Sequence, residues 1–214
     1  MRTIAHLSDL HFGRLDRATV PPLIAAIAAA KPDIVVVSGD LTQRAHRQEF
    51  ADARAFLADL PSPQIVVPGN HDVPLYNVVA RMLRPLARYR RCISGDLEPF
   101  YADDEIAVLG VNTARSLTFK NGRINRQQVD RSCARFAPCG PGVTRIIVTH
   151  HPFDVPATGD THGLLGRAGM AMAAFARHGV DLILSGHLHV SRVSDSVARY
   201  KVAGRTLLVI QAGT

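Results

Sequence analysis

The chain has 214 residues, 47% of them hydrophobic and 20% charged, with a formal net charge of +7. That composition excludes a disordered or fibrous protein and supplies one sizeable core, read here as a single domain over residues 1–214. The basic balance favours anionic partners such as phosphates, although a solvated basic surface explains it equally well. Cys92, Cys133 and Cys139 are odd in number and form no CxxC, which reads as reduced thiols in a cytoplasmic protein. "MRTIAHLSDLHF" lacks the apolar run of a signal peptide, and "LIAAIAAA" is too short to span a bilayer.

In chain order, "TIAHLS" predicts a strand. Val20, Leu23, Ile24 and Ile27 then recur at helical spacing until Lys31-Pro32. "DIVVVS" is a continuous apolar run, the pattern of a strand covered on both faces. Phe50, Ala53, Leu57 and Leu60 mark a second helix, stopped by Pro61, and "QIVVP" a third strand. A basic helical segment is expected from Leu75 to Arg91. "IAVLGVN", "RIIVTH" and "DLILS" predict strands, with a polar helix from Asn125 to Phe136 and another from Leu165 to His178. The tail from Ser191 reads as antiparallel β with a turn near Ala203-Gly204-Arg205. Alternating strands and helices argue an α/β fold, and the β-rich tail argues a mixed sheet. "TLLVIQAGT" runs as a strand almost to the last residue, without a frayed polar tail, and reads as a chain cut short.

The chemistry sits where strands stop. Five apolar runs end in Asp9 and His11; in Asp40; in Asn70, His71 and Asp72; in His150 and His151; and in His187 and His189. Ligands of open α/β sheets bind outside the carboxyl ends of strands. Singly, each cluster has a plainer explanation: a capped turn, a turn glycine, a pre-proline bend, or histidines on a wet edge. Five together, all at strand ends, are not explained that way. Carboxylate, amide and imidazole donors suit divalent Mn, Fe, Zn, Ni or Co, and the absence of cysteine argues against a closed structural zinc. The donors are too many for one ion. Two ions about 3.5–4 Å apart, sharing a carboxylate, would use them. Gly39, Gly69 and Gly186 would let the backbone come close.

Asp9-x-His11, Gly39-Asp40, Gly69-Asn70-His71-Asp72, His150 and Gly186-His187-x-His189 resemble the calcineurin-like metallophosphoesterase superfamily, most of all its class III cyclic-nucleotide phosphodiesterase branch. The resemblance spans residues 9–189. It implies a four-layer α/β/β/α sandwich with two mixed β-sheets. It implies that Asp9, His11 and His189 hold one metal, Asn70, His150 and His187 the other, and that Asp40 bridges them, with Mn or Fe favoured. His150 is chosen over His151 because the family's ligand stands two residues before the proline, here Pro152; His151 becomes an outer neighbour.

The expected reaction is hydrolysis of a small phosphoester, with cyclic nucleotides the first candidate. The two cations would activate a shared water, Asn70 would steady the phosphoryl oxygens, and His71 would protonate the leaving oxygen. Asp72 is read either as orienting a histidine or as a helix N-cap. Asn112, Thr113 and His162 are candidates for the substrate rim. The arginines between Arg81 and Arg91 either bind phosphate or form a solvated face. A phosphomonoesterase or a glycerophosphodiester hydrolase is the alternative, and a metal-binding scaffold without turnover the alternative of another class. His71 stands where lipid A-type pyrophosphohydrolases carry arginine, and the length leaves little room for a DNA-capping domain. Nucleic acid is therefore disfavoured as a partner, while a homodimer is left open.

Overall fold

The computed structural model describes residues 1–118, 120–155, 163–195, 197–200 and 206–214. It contains two sheets. In the first, β1 (Ile4–Leu7), β2 (Ile34–Val37) and β3 (Gln64–Val66) run parallel in that order. The second is mixed and follows the order β4-β5-β6-β7-β9-β8. Its parallel centre is β5 (Ile106–Gly110), β6 (Thr144–Val148), β7 (Leu182–Ser185) and β9 (Leu208–Gln211). The antiparallel edges are β4 (Phe100–Ala102) and β8 (Arg192–Asp195).

Side-chain alternation builds the layers. Ile34 and Val36 of β2 point towards the second sheet, where they join Ile65, Ile106, Val108, Ile146, Val148 and Leu184. Val35 and Val37 point the other way, against Phe50, Ala53, Phe56 and Leu57 of α2 (Arg47–Ala58) and Ile27 of α1 (Val20–Ala30). Ala107, Leu109, Ile147 and Ile183 likewise pack outward on α5 (Arg126–Phe136) and α6 (Ala168–Arg177). The order is helix, sheet, sheet, helix, which is the expected sandwich. Because β2 is covered on both faces, its sequence is continuously apolar. Truncating a fully buried chain between the sheets, such as Ile146, costs about 2–5 kcal/mol.

Local departures from expectation have simple causes. The basic segment is two short helices, α3 (Val78–Leu83) and α4 (Ala87–Cys92), because Pro85 interrupts it. The three-residue strand β4 was not foreseen; it is too short to show a period. The tail carries a one-turn helix, α7 (Val197–Tyr200), between its antiparallel strands β8 and β9. The anticipated turn at residues 203–205 lies outside the described residues. The three cysteines are free thiols. Among the described residues, no helix is long and apolar enough to cross a membrane.

Candidate metal centre

The parallel pairing continues past the strand ends and sets the site. Asp9 N–H donates to Gly39 O at 3.1 Å and His11 N–H to Asp40 O at 3.0 Å, which aligns the two loops after β1 and β2. Gly186 N–H donates to His150 O at 3.0 Å, aligning those after β6 and β7. The two sheets then meet through His187, whose N–H donates to Asp9 Oδ2 at 2.8 Å. The backbone is strained here: Asp9, His11, Asp40, His187 and His189 all have φ between 46° and 78°. Such values are uncommon for residues with a Cβ and gather at functional sites. Gly186 is required sterically, since a Cβ would collide with Ser8 Oγ and Asp9 Oδ2.

Each acid holds one oxygen in place and leaves the other for the site. Asp40 Oδ1 accepts from His71 N–H at 2.8 Å, while Oδ2 lies 3.3 Å from His150 Nε2 and 4.0 Å from His11 Nε2. Asp9 Oδ2 accepts from Ser8 Oγ and His187 N–H. Asp9 Oδ1 is buried without a hydrogen-bond partner, 3.6 Å from His189 Nε2 and 3.8 Å from His11 Nε2. His11 and His189 stack, their Nε2 atoms 3.4 Å apart. His150 Nδ1–H donates to Ser38 O at 2.9 Å, which turns Nε2 into the cluster. There it lies 3.0 Å from Asn70 Oδ1 and 3.1 Å from His187 Nδ1.

Donor atoms that converge on buried carboxylates call for positive charge, which a proton or a metal ion supplies. The orphaned Asp9 Oδ1, the N/O donor set and the compact sets Asp9/His11/His189 and Asp9/Asp40/His150 all fit divalent ions of the borderline class. Without a metal, His150 supplies part of that charge. Burial would lower its pKa, but the Asp40 carboxylate outweighs it and lifts the value to about 9. Burial would raise Asp40, but neighbouring His150 holds it low. His187 falls to about 3, through burial and then the charge of His150.

His151 also lies within ligand reach of His150 and His187, but its ring is occupied. Nε2–H donates to Lys120 O at 3.1 Å, so Nδ1 accepts from the Thr113 hydroxyl at 2.8 Å. Burial and the two adjacent histidines push its pKa well down. His71 Nδ1–H donates to Gln43 O at 2.8 Å, leaving Nε2 available. The His71 ring stands edge-on to His11, in a cavity of about 640 Å³ that His6, Phe12, Leu15 and His189 also line.

Two candidates sit elsewhere in role. Asp72 neither orients a histidine nor caps a helix: its carboxylate accepts from the backbone of Gly69, Leu41 and Thr42, tying the loops after β2 and β3 together. Burial and nearby Asp40 raise its pKa to about 6. Asn112 caps its own turn through Ala114 N–H and lines a separate cavity with Arg84 and Arg115. Its neighbour Thr113 is the residue that reaches the histidines. His162 lies outside the described residues. Of the arginines, Arg81 and Arg88 bind backbone carbonyls. Sequence reasoning missed Ser8, Ser38 and Gln43, which orient Asp9, His150 and His71; backbone acceptors leave no signature in side-chain identity.

Comparisons with known proteins identify the family and the fold. The profile of the family described as calcineurin-like phosphoesterase matches residues 2–191. A "probable cyclic nucleotide phosphodiesterase" of Rhodococcus erythropolis is 27% identical over 88% of this chain and 65% of its own length. The "glycerophosphodiester phosphodiesterase GpdQ" of Enterobacter lignolyticus is 35% identical over 32% of this chain and 29% of its own. The match thus spans less than two thirds of either relative. Among solved structures, the purple acid phosphatase PPD1 of yellow lupin superposes with a TM-score of 0.73 over 99% of this chain and 44% of its own, at 12% identity.

Proposed function

The chain belongs to the calcineurin-like phosphoesterase family, and from that premise we propose that it is a phosphodiesterase with two divalent metals, acting on cyclic nucleotides or related small diesters. The observation that carries the reading is the convergence of seven donor side chains from five strand ends, with Asp9 Oδ1 left without a hydrogen-bond partner and His150 Nε2 turned into the cluster. Asp9, His11 and His189 would hold one ion, Asn70, His150 and His187 the other, and Asp40 both. When bound, such a pair supplies Lewis acidity to the phosphoryl group and acidifies a water. Asp40 stays ionised, as the site requires. Ser38 O and Gln43 O orient the rings of His150 and His71. His71, anchored at Nδ1, would pass a proton to the leaving oxygen through Nε2. His151, closed by Thr113 and Lys120, walls the buried side.

The Rhodococcus relative's name supports the cyclic-nucleotide reading. The Enterobacter relative's name favours glycerophosphodiesters as the second reading. Turnover of an aryl phosphodiester and of its monoester by metal-stripped protein, before and after Mn²⁺, separates the outcomes. Mn²⁺-dependent diester turnover is expected. Monoester preference would make the chain a phosphatase, and metal binding without any turnover would make it a scaffold.

A further inference from the structure

Helix α3 is built inside out. Its charged residue, Arg81, is buried and donates to Ser116 O at 2.7 Å, Thr118 O at 2.7 Å and Pro74 O at 3.1 Å. Its aliphatic residues Val78, Val79, Met82 and Leu83 are 51–76% exposed and share one face of the helix. The Arg81 clamp draws the loop at 116–118 alongside, so exposed Leu117 extends the same patch, as Tyr76 does at the other end. Surfaces of soluble proteins rarely gather so many large apolar side chains in one place.

The chain segments that carry the patch are basic. Residues 73–95 contain five arginines and no acid, and residues 112–123 contain Arg115, Lys120 and Arg123 and no acid. Arg84, Arg90, Arg91, Lys120 and Arg123 are exposed. A two-fold contact with a second copy would set this basic rim against itself. An anionic bilayer suits both features, with the aliphatic chains at the acyl boundary and the basic rim among the phosphates.

We propose that the exposed face of α3, with Leu117 and Tyr76, docks this protein on anionic lipid surfaces. The patch adjoins the metal centre. Arg44 lies 5.7 Å over the Tyr76 ring, and Arg44, Arg81 and Lys120 share a cavity of about 130 Å³ with Asn70 and His71. Docking therefore turns the mouth beside His71 towards the headgroup layer. Binding is read without turnover, so the proposal stands or falls apart from the reaction assigned above.

The test is cosedimentation of the full chain with vesicles of equal parts phosphatidylglycerol and phosphatidylcholine, and with phosphatidylcholine alone. Wild type binds the anionic vesicles, and binding weakens with added salt. Val79→Asp/Met82→Asp, at two exposed positions, lowers the affinity at least about tenfold with an unchanged melting temperature. Arg84→Glu/Arg91→Glu lowers it while leaving the apolar face intact. Three results would overturn the proposal: no binding by wild type, equal binding by the aspartate variant, or a wild-type dimer that this variant splits, which would give the face to a second copy.

Discussion

The two halves of the proposed metal centre are built differently. Asn70, His150 and His187 form a walled half: His150 is fully buried, tied to Ser38 O, and backed by His151, which Thr113 and Lys120 hold in turn. Asp9, His11 and His189 form an open half: the His189 side chain is 46% exposed, and His11 Nδ1 has no hydrogen-bond partner. Asp40, fully buried, lies between them. A ligand oriented by buried backbone loses little entropy on binding, whereas the exposed His189 ring, held by the Thr214 hydroxyl at 2.9 Å, is less firmly placed. In the proposed centre the walled half is therefore expected to be the tighter site, and the open half, facing the larger cavity, the one that exchanges.

Removing the shared carboxylate has the largest effect. Asp40→Asn lowers kcat/KM on an aryl diester on the order of 10³-fold, because both halves lose a charged donor; near wild-type turnover would show that Asp40 is not shared. The halves separate next. His150→Ala should weaken Mn²⁺ binding roughly a hundredfold and His189→Ala roughly tenfold, read by calorimetric titration. Equal losses would erase the distinction between walled and open.

Beneath the walled half, His6 Nε2 lies 2.9 Å from Ser38 Oγ, and burial lowers its pKa from 6.5 to about 4. The folded state thus disfavours its protonation. Its contribution to stability is full above pH 6.5 and is lost as pH falls through about 4. The loss is about 3 kcal/mol. Denaturant titration of metal-free wild type and His6→Gln across that window should give curves of different slope; parallel curves would remove His6 as the cause. The smallest effect is Thr113→Val, which strips His151 Nδ1 of its donor and weakens metal binding about tenfold. If this variant binds Mn²⁺ like wild type, the wall behind His150 does not matter.

Much of the architecture was legible because strands covered on both faces write themselves as apolar runs: "IVVV" of β2 is buried throughout. The rim was legible because each such run stops at a residue that can ionise or donate. What could not be read was conformation and partnership. Nothing in the residue names says that Asp9, Asp40 and His187 take positive φ, or that Asp72 is bound by backbone N–H groups rather than by a histidine. Asn112 and Thr113 end the same strand and read alike as rim candidates, and only the pleat shows that Thr113 is the one turned towards His151. Arginines between residues 81 and 91 looked like one basic helix, and only the contacts of Arg81 reveal that α3 is inverted.

Elemental analysis of the full chain after stripping, Mn²⁺ reconstitution and desalting tests the central claim most directly. Wild type should retain two manganese ions per chain and His189→Ala about one, the walled half keeping its ion. A single ion in wild type that His189→Ala leaves untouched, or none at all, would contradict a two-metal centre.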